Sequence, residues 1–374
     1  MKQSFDDAEI NKDKDTLTIQ LSTAQDDGRP FYIAGNFNDW NASDENFRLK
    51  KSTNGCFEIT FEDFQDLPEI LEYKYTRGNW ECTELDPNGS EVNNRVLKCD
   101  AGITKDKAFG WKKLGVAHNE AYRPCIETIS ETFEIPQLIK TRRITALLPY
   151  NYHETDKRYP VLYLQDGQNL FDDYAPFGSW GLDKRLAFMA ENNFPEFIVV
   201  AIDHAESERI KEFTPSTRTK LGVGDGQKYA NFLAETLKPY VDSHFRTLPG
   251  KEHTGIGGSS MGGLISIYAA KQHPELYSRL MIFSPSFWVT PDLPRRFIYH
   301  TKDFNGKIYL YGGGMEGSNM IFYLNNFKEI IDNDPHKRNI ELFMDINYKG
   351  THTESEWGNV FPKAAKWLFS DDES

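Results

Sequence analysis

The sequence is short of cysteine, of long apolar runs and of positive charge. Its four cysteines, Cys56, Cys82, Cys99 and Cys125, fall in the first third of a 374-residue chain and include no C-x-x-C pair. That pattern excludes a disulfide-dense scaffold and argues against a zinc site, and no metal is expected. No run is long enough to span a bilayer, and the opening "MKQSFDDAEINKDKDTLT" lacks the apolar segment of a secretory signal. A cytoplasmic protein with reduced thiols is the expectation. If the chain is instead the mature form of an exported protein, a Cys82–Cys99 disulfide becomes an option. Lys and Arg number 43 against 56 Asp and Glu, a formal net charge of -13. That balance argues against nucleic acid and anionic membrane as main partners, and leaves neutral ligands such as sugars open.

What is present supports folded cores. Apolar residues make up 39% of the chain and aromatics 14%, so disorder is not the default, and the length suits two domains. After a tail at 1–15, residues 16–100 read as short strands: Leu17, Ile19 and Leu21 alternate, as do Phe57, Ile59 and Phe61, then Tyr73 and Tyr75. Turn formers in "DDGRP", "STNGC" and "DPNGS" separate them, and a small antiparallel sandwich follows. Residues 101–117 lose the alternation and read as a linker. From 118 to 370 strands and helices alternate, with "YPVLYLQ" and "FPEFIVVAI" as buried strands and "LISIYAAKQHPE" as a helix. This predicts an α/β fold with a mostly parallel sheet. Pro239 is expected to split a helical run containing Tyr229, Phe232, Leu233, Leu237 and Tyr240.

Chemistry centres on "TGIGGSSMGGLISIYAA", residues 254–270. Gly258-Ser259-Ser260-Met261-Gly262 fits G-x-S-x-G with Ser260 in the middle, whereas centring on Ser259 would put Met261 at the closing glycine. A strand before and a helix after would present Ser260 at a tight turn, as a nucleophile requires. A serine hydroxyl needs a base, a group that orients the base, and donors for the oxyanion. The chain order serine, acid, histidine leaves His273, His300, His336 and His352. His352, in "YKGTHTESEW" between a strand and the last helix, is the best placed; His273 sits at the far end of the elbow helix, and His300 and His336 lie in polar connections. Glu316, in "YLYGGGMEGSN" just after an apolar strand, is the favoured acid, with Asp292 and Asp345 as rivals. The Met261 amide, at a helix start, and the Gln168 amide, after the strand in "VLYLQDGQNLFDD", are the oxyanion candidates. Trp180 and Trp288, with Phe171 and Phe287, are candidates for lining a substrate cleft.

Taken together, "YPVLYLQDGQNLFDD", "GGSSMGGLISIYAAKQHPELYSRLMIFSPSFW", "GGGMEG" and "GTHTESEW" resemble the esterase group of α/β-hydrolases that includes feruloyl and acetyl-xylan esterases, esterase D and enterochelin esterases. The resemblance covers about residues 120–370. It implies a triad of Ser260, Glu316 and His352 with no cofactor, and it brings Arg209 and Glu212, in "AIDHAESERIKEFTP", near the pocket. "FYIAGNFNDWN" and "YKYTRGNWECTELDPNGSEVNNR" resemble starch- and glycogen-binding modules of immunoglobulin-like fold. That second resemblance implies sugar stacking on Trp40 and Trp80, with polar contacts from Lys74 and Asn94. The expected activity is hydrolysis of a carboxylic ester of an acylated carbohydrate, feruloyl or acetyl. A siderophore trilactone esterase and a glycan-binding protein on an inert hydrolase scaffold are the alternatives.

Overall fold

The computed structural model describes residues 16–370 apart from 54, 63–66, 88–91, 113–114, 117, 302–303, 318, 335 and 337–338. The expected tail, 1–15, lies outside the described residues. The chain divides between residues 117 and 118 into two compact units.

In the first unit the alternating stretches become strands. Leu17–Thr23, Phe57–Phe61 and Lys50–Lys51 form one sheet, and Tyr32–Gly35, Ile70–Thr76 and Arg95–Lys98 another. Period-two alternation sends Leu17, Ile19 and Leu21 of the first and Tyr73 and Tyr75 of the second into one shared core, with Phe31 and Trp111. The stretch 101–117 is not a linker. Gly102–Ala108 is a strand parallel to Leu17–Thr23, and Gly110–Trp111 pairs with Glu84–Leu85. The strand escaped the sequence pattern because it closes a sheet edge and holds Thr104 and Asp106, rather than apolar residues, at its inward positions. Its parallel pairing also departs from the expected purely antiparallel sandwich. Cys82 belongs to the core, and Cys99 packs against it.

Among the described residues, the second unit is built on eight strands: β1 Cys125–Ile135, β2 Lys140–Leu148, β3 Val161–Gln165, β4 Ile198–Ile202, β5 Thr254–Ser259, β6 Arg279–Phe283, β7 Gly306–Gly313 and β8 Ile340–Asn347. They are ordered β1-β2-β4-β3-β5-β6-β7-β8, antiparallel at the β1/β2 and β2/β4 pairs and parallel from β4 to β8. Its helices are α1 Leu182–Glu191, α2 Arg209–Phe213, α3 Gly226–Phe232, α4 Lys238–His244, α5 Met261–Gln272, α6 Leu293–His300, α7 Met320–Asp332 and α8 Glu354–Phe369. This is the mostly parallel α/β-hydrolase architecture that the sequence predicts. β3 and β4 are buried along their whole length, as continuous apolar strands must be when helices cover both faces. Each fully buried Leu, Ile, Val or Phe contributes about 1.5–3 kcal/mol through removal from water.

The Pro239 expectation is modified. The chain stays helical from α3 into α4 through a π turn at Leu233–Leu237, with Pro239 in the first turn of α4. There the missing proline N–H is tolerated, and the wider turn absorbs the irregularity.

Parallel strands align their carboxyl ends along one edge, so the loops that follow β3, β4, β5, β6, β7 and β8 emerge together. Ser260, Glu316, His352 and Gln168 lie in those loops.

Candidate active site

Ser260 stands between β5 and α5 with φ 56° and ψ -119°, a conformation that residues with a side chain rarely adopt. The flanking glycines make the turn possible. A Cβ on Gly258 would meet the Gly262 backbone at 3.0 Å, and one on Gly262 would meet the Asp166 carboxylate and the Gln165 side chain at 3.0 Å. The Ser260 amide is held by the Phe283 carbonyl at 2.9 Å, and the Ser260 carbonyl accepts from Ser286 N at 3.0 Å. Both ends of the residue are therefore pinned by the end of β6 and the turn that follows it. Ser259, one residue earlier, is the last residue of β5 and is buried.

His352 lies in the loop between β8 and α8, and its Nδ1 is 2.7 Å from Glu316 Oε2. The His352 side chain is 40% exposed, whereas that of Glu316 is fully buried. The other Glu316 oxygen accepts from the Gly313 amide at 2.6 Å and from the Ser284 hydroxyl at 2.7 Å. Ser284 in turn accepts from Trp357 Nε1 at 2.9 Å, and the Trp357 ring meets the His352 ring edge-on at 4.8 Å. The rival acids are engaged elsewhere. Asp292 pairs with Arg296 beside α6, and Asp345 pairs with Lys363 from within β8.

Ser260 and His352 line one cavity of about 990 Å³, together with Gln168, Arg209, Phe177 and Trp357 among others. The Ser260 hydroxyl hydrogen-bonds Ser286 Oγ at 3.3 Å rather than the histidine. Met261 opens α5, where the first amides have no intrahelical acceptor. Gln168 sits in a short turn after β3 whose entry, Asp166, is left-handed at φ 62°. Its side-chain amide is occupied in both directions by His204, donating to the carbonyl at 3.3 Å and accepting from the amide at 2.8 Å.

Arg209 lines the cavity, as expected, and grips Asp166 in a bidentate pair at 2.6 and 2.7 Å. Several expectations fail. Glu212 points away from the cavity into the interior, where it is fully buried and paired with Arg142 and Lys140. Trp180 is a core residue, 3% exposed and stacked on Phe283 at 5.3 Å, because Gly358 of α8 lies tight against its backbone and draws the ring between sheet and helix. Trp288 is exposed, in the turn after β6, and is not among the cavity-lining residues. Phe287, likewise, is fully buried against Phe327.

Several residues of the site escaped the sequence reading. Ser284 and Ser286 stand in "FSPSFW", and Glu354 follows His352 in "THTES", all inside motifs already quoted. Arg143 and Asp203, paired at 2.9 Å, also line the cavity. Burial holds the Glu354 carboxyl above its ordinary range, and the Asp166 charge adds to that. Burial likewise raises Asp203, against the pull of Arg143.

In the first unit, Trp40 and Trp80 lie together, with ring centroids 6.2 Å apart, and Trp80 is 45% exposed. Trp40 owes its place to a tight turn in which it adopts φ 57° and its amide donates to the Gly35 carbonyl. Lys74 sits between the buried Tyr73 and Tyr75 on its strand, so it faces the opposite side of the sheet. Asn94 is exposed just before Arg95–Lys98.

A family model described as "Putative esterase" matches residues 136–368, and the chain belongs to that family. The Bacillus subtilis protein YbbA, which is uncharacterized, is 23% identical over 245 residues, covering 62% of this chain and 94% of that protein. Among solved structures, a feruloyl esterase module from Clostridium thermocellum complexed with sinapinate aligns with a TM-score of 0.53 at 18% identity, over 69% of this chain and 92% of that one. An IroE-like serine hydrolase from Shewanella oneidensis aligns with a TM-score of 0.52 at 19% identity, over 67% of this chain and 82% of that one. Similarity at this level establishes the fold, and family and fold together support carboxylic ester hydrolysis.

Proposed function

We propose that the second unit is a serine esterase in which Ser260, His352 and Glu316 act as a triad on an acylated carbohydrate or similar small ester. The observation that carries this reading is the strained Ser260 elbow opening into the same cavity as a histidine whose Nδ1 is fixed by a buried glutamate. With Nδ1 turned to Glu316, His352 Nε2 is the nitrogen left to take the serine proton. The Ser260 hydroxyl turns from Ser286 to His352 when substrate enters. Its oxygen bonds to the ester carbonyl carbon, and the proton passes to Nε2. The Met261 and Gln168 amides hold the resulting oxyanion. As the C–O bond breaks, His352 returns the proton to the departing alcohol and an acyl-Ser260 remains. Water then attacks the acyl carbon and gives a proton to His352, and the acid leaves as Ser260 recovers its own.

A panel of feruloyl and acetyl oligosaccharides beside a catecholate trilactone tests the substrate class. The sugar esters should be the faster; faster turnover of the trilactone would replace this reading with the siderophore one. Ser284 acts here as a positioning residue, through its bond to Glu316. Ser284→Ala should lower kcat about tenfold by loosening the acid that orients the base. An unchanged kcat would remove Ser284 from the machinery.

For the first unit we infer a glycan-contact surface centred on the Trp40–Trp80 pair, with Lys74 and Asn94 as polar neighbours. Its support is the partial exposure of two adjacent indoles, which offer apolar area to the C–H face of a sugar. Trp80→Ala should weaken maltooligosaccharide binding about tenfold by calorimetry, one stacking contact's worth. Equal affinity in both proteins would dismiss the surface.

A further inference from the structure

Six charged side chains line the cavity that holds Ser260: Arg143, Arg209, Asp166, Asp203, Glu206 and Glu354. Both arginines are already matched. Arg209 gives two hydrogen bonds to Asp166, and Arg143 gives one to Asp203 at 2.9 Å. Neither guanidinium is left as a lone cation for a substrate carboxylate or phosphate. Glu206 and Glu354 form no ion pair within the cavity lining, although the Arg209 charge also reaches Glu354, and the walls hold formally two more negative charges than positive ones. Glu354 is half-buried, and its side-chain hydrogen bond is a 3.4 Å contact from the neutral Asn169 amide. The apolar part of the wall, including the exposed Phe177 and Ile210, offers area without charge. The chain as a whole adds a net charge of -13.

We infer that this cavity selects by charge: it accepts uncharged or cationic esters and repels anionic ones, with Glu354 and Glu206 as the residues that set the preference. The inference rests on Ser260 being the nucleophile of that cavity. A cleft with surplus negative charge lowers the local concentration of anions, and its walls focus the field toward the bottom. The penalty falls on kcat/KM, because the anion must be brought from bulk water to the serine, and it must fade with salt. Polyanionic esters, ferric catecholates among them, are thereby poor substrates.

The test compares three aryl acetates of similar size at about pH 8, where carboxylates are ionised, each rate divided by that ester's own hydroxide-catalysed rate. They are 4-acetoxybenzoate, 4-acetoxybenzamide and 4-(trimethylammonio)phenyl acetate. At low ionic strength kcat/KM for the anion should lie about tenfold below that of the neutral ester, with the cation equal to or above it. Raising ionic strength from about 0.01 M to about 1 M shortens the screening length from about 30 Å to about 3 Å and should close most of that gap. Glu354→Gln and, separately, Glu206→Gln should each raise the anion-to-neutral ratio at low salt. The salt series on the unaltered protein stands even if one variant fails to fold. Equal rates for anion and neutral ester, or a gap indifferent to salt, overturns the charge selection while leaving the esterase reading intact. Hydrolysis of none of the three, or full activity in Ser260→Ala, overturns the esterase reading instead.

Discussion

Replacing Ser260 with alanine should lower kcat on 4-nitrophenyl acetate by about 10⁴-fold or more, leaving only the catalysis that binding and the oxyanion donors supply. The size of the loss follows from the chemistry. Without the Oγ no acyl-enzyme can form, and His352 and Glu316 have no proton to handle. Ser259→Ala is the matched control, because Ser259 is buried at the end of β5. Its effect should stay within about tenfold, the size of a small repacking beside the site. Equal losses in both variants would mean that the elbow collapses when either serine is changed. Retention of turnover in Ser260→Ala alone would remove Ser260 as nucleophile.

The second large effect falls on stability. Trp180→Ala should cost about 3–5 kcal/mol, the usual range for deleting a large aromatic from a packed core. The ring stacks on Phe283 at 5.3 Å and meets Trp357 and Phe361 at 6.3 and 6.4 Å, so its removal opens a void between β6 and α8. Denaturant titration of wild type and variant should show the midpoint fall. A midpoint that holds while KM rises would return Trp180 to the substrate-binding role first expected of it.

The two tryptophans of that expectation show where sequence reading stops. Trp180 and Trp288 are the same residue type in loops of the same sheet edge, yet one is core and the other is exposed. Residue type carries no record of which side of a loop faces inward; that depends on partners distant in sequence, here Gly358 and Phe283. The turn at Ser260 was legible for the opposite reason. Its requirement is local and steric, and Gly258 and Gly262 are the small residues that it needs. The strand and helix alternation likewise gave away the sheet, because β3, β4 and α5 are apolar enough to be read alone. Gly102–Ala108 was lost because an edge strand with polar residues at its inward positions imitates a linker. Ser284 and Glu354 were in view but unread: a serine after a strand and a glutamate at a helix start have ordinary uses, and only the fold brings them beside Glu316 and into the cavity. The Glu212 expectation failed because the resemblance brings the whole loop near the pocket, whereas Arg142 and Lys140 draw this one side chain inside.

The central claim is that Ser260 forms an ester with substrate. Intact-protein mass spectrometry of the full chain, quenched in acid during turnover of a 4-nitrophenyl ester, reads this directly, and peptide mapping locates the adduct. The expected result is one acyl group, on the peptide that contains Ser260, absent from Ser260→Ala. An acyl group on another residue, or turnover that proceeds unchanged in Ser260→Ala, would contradict it.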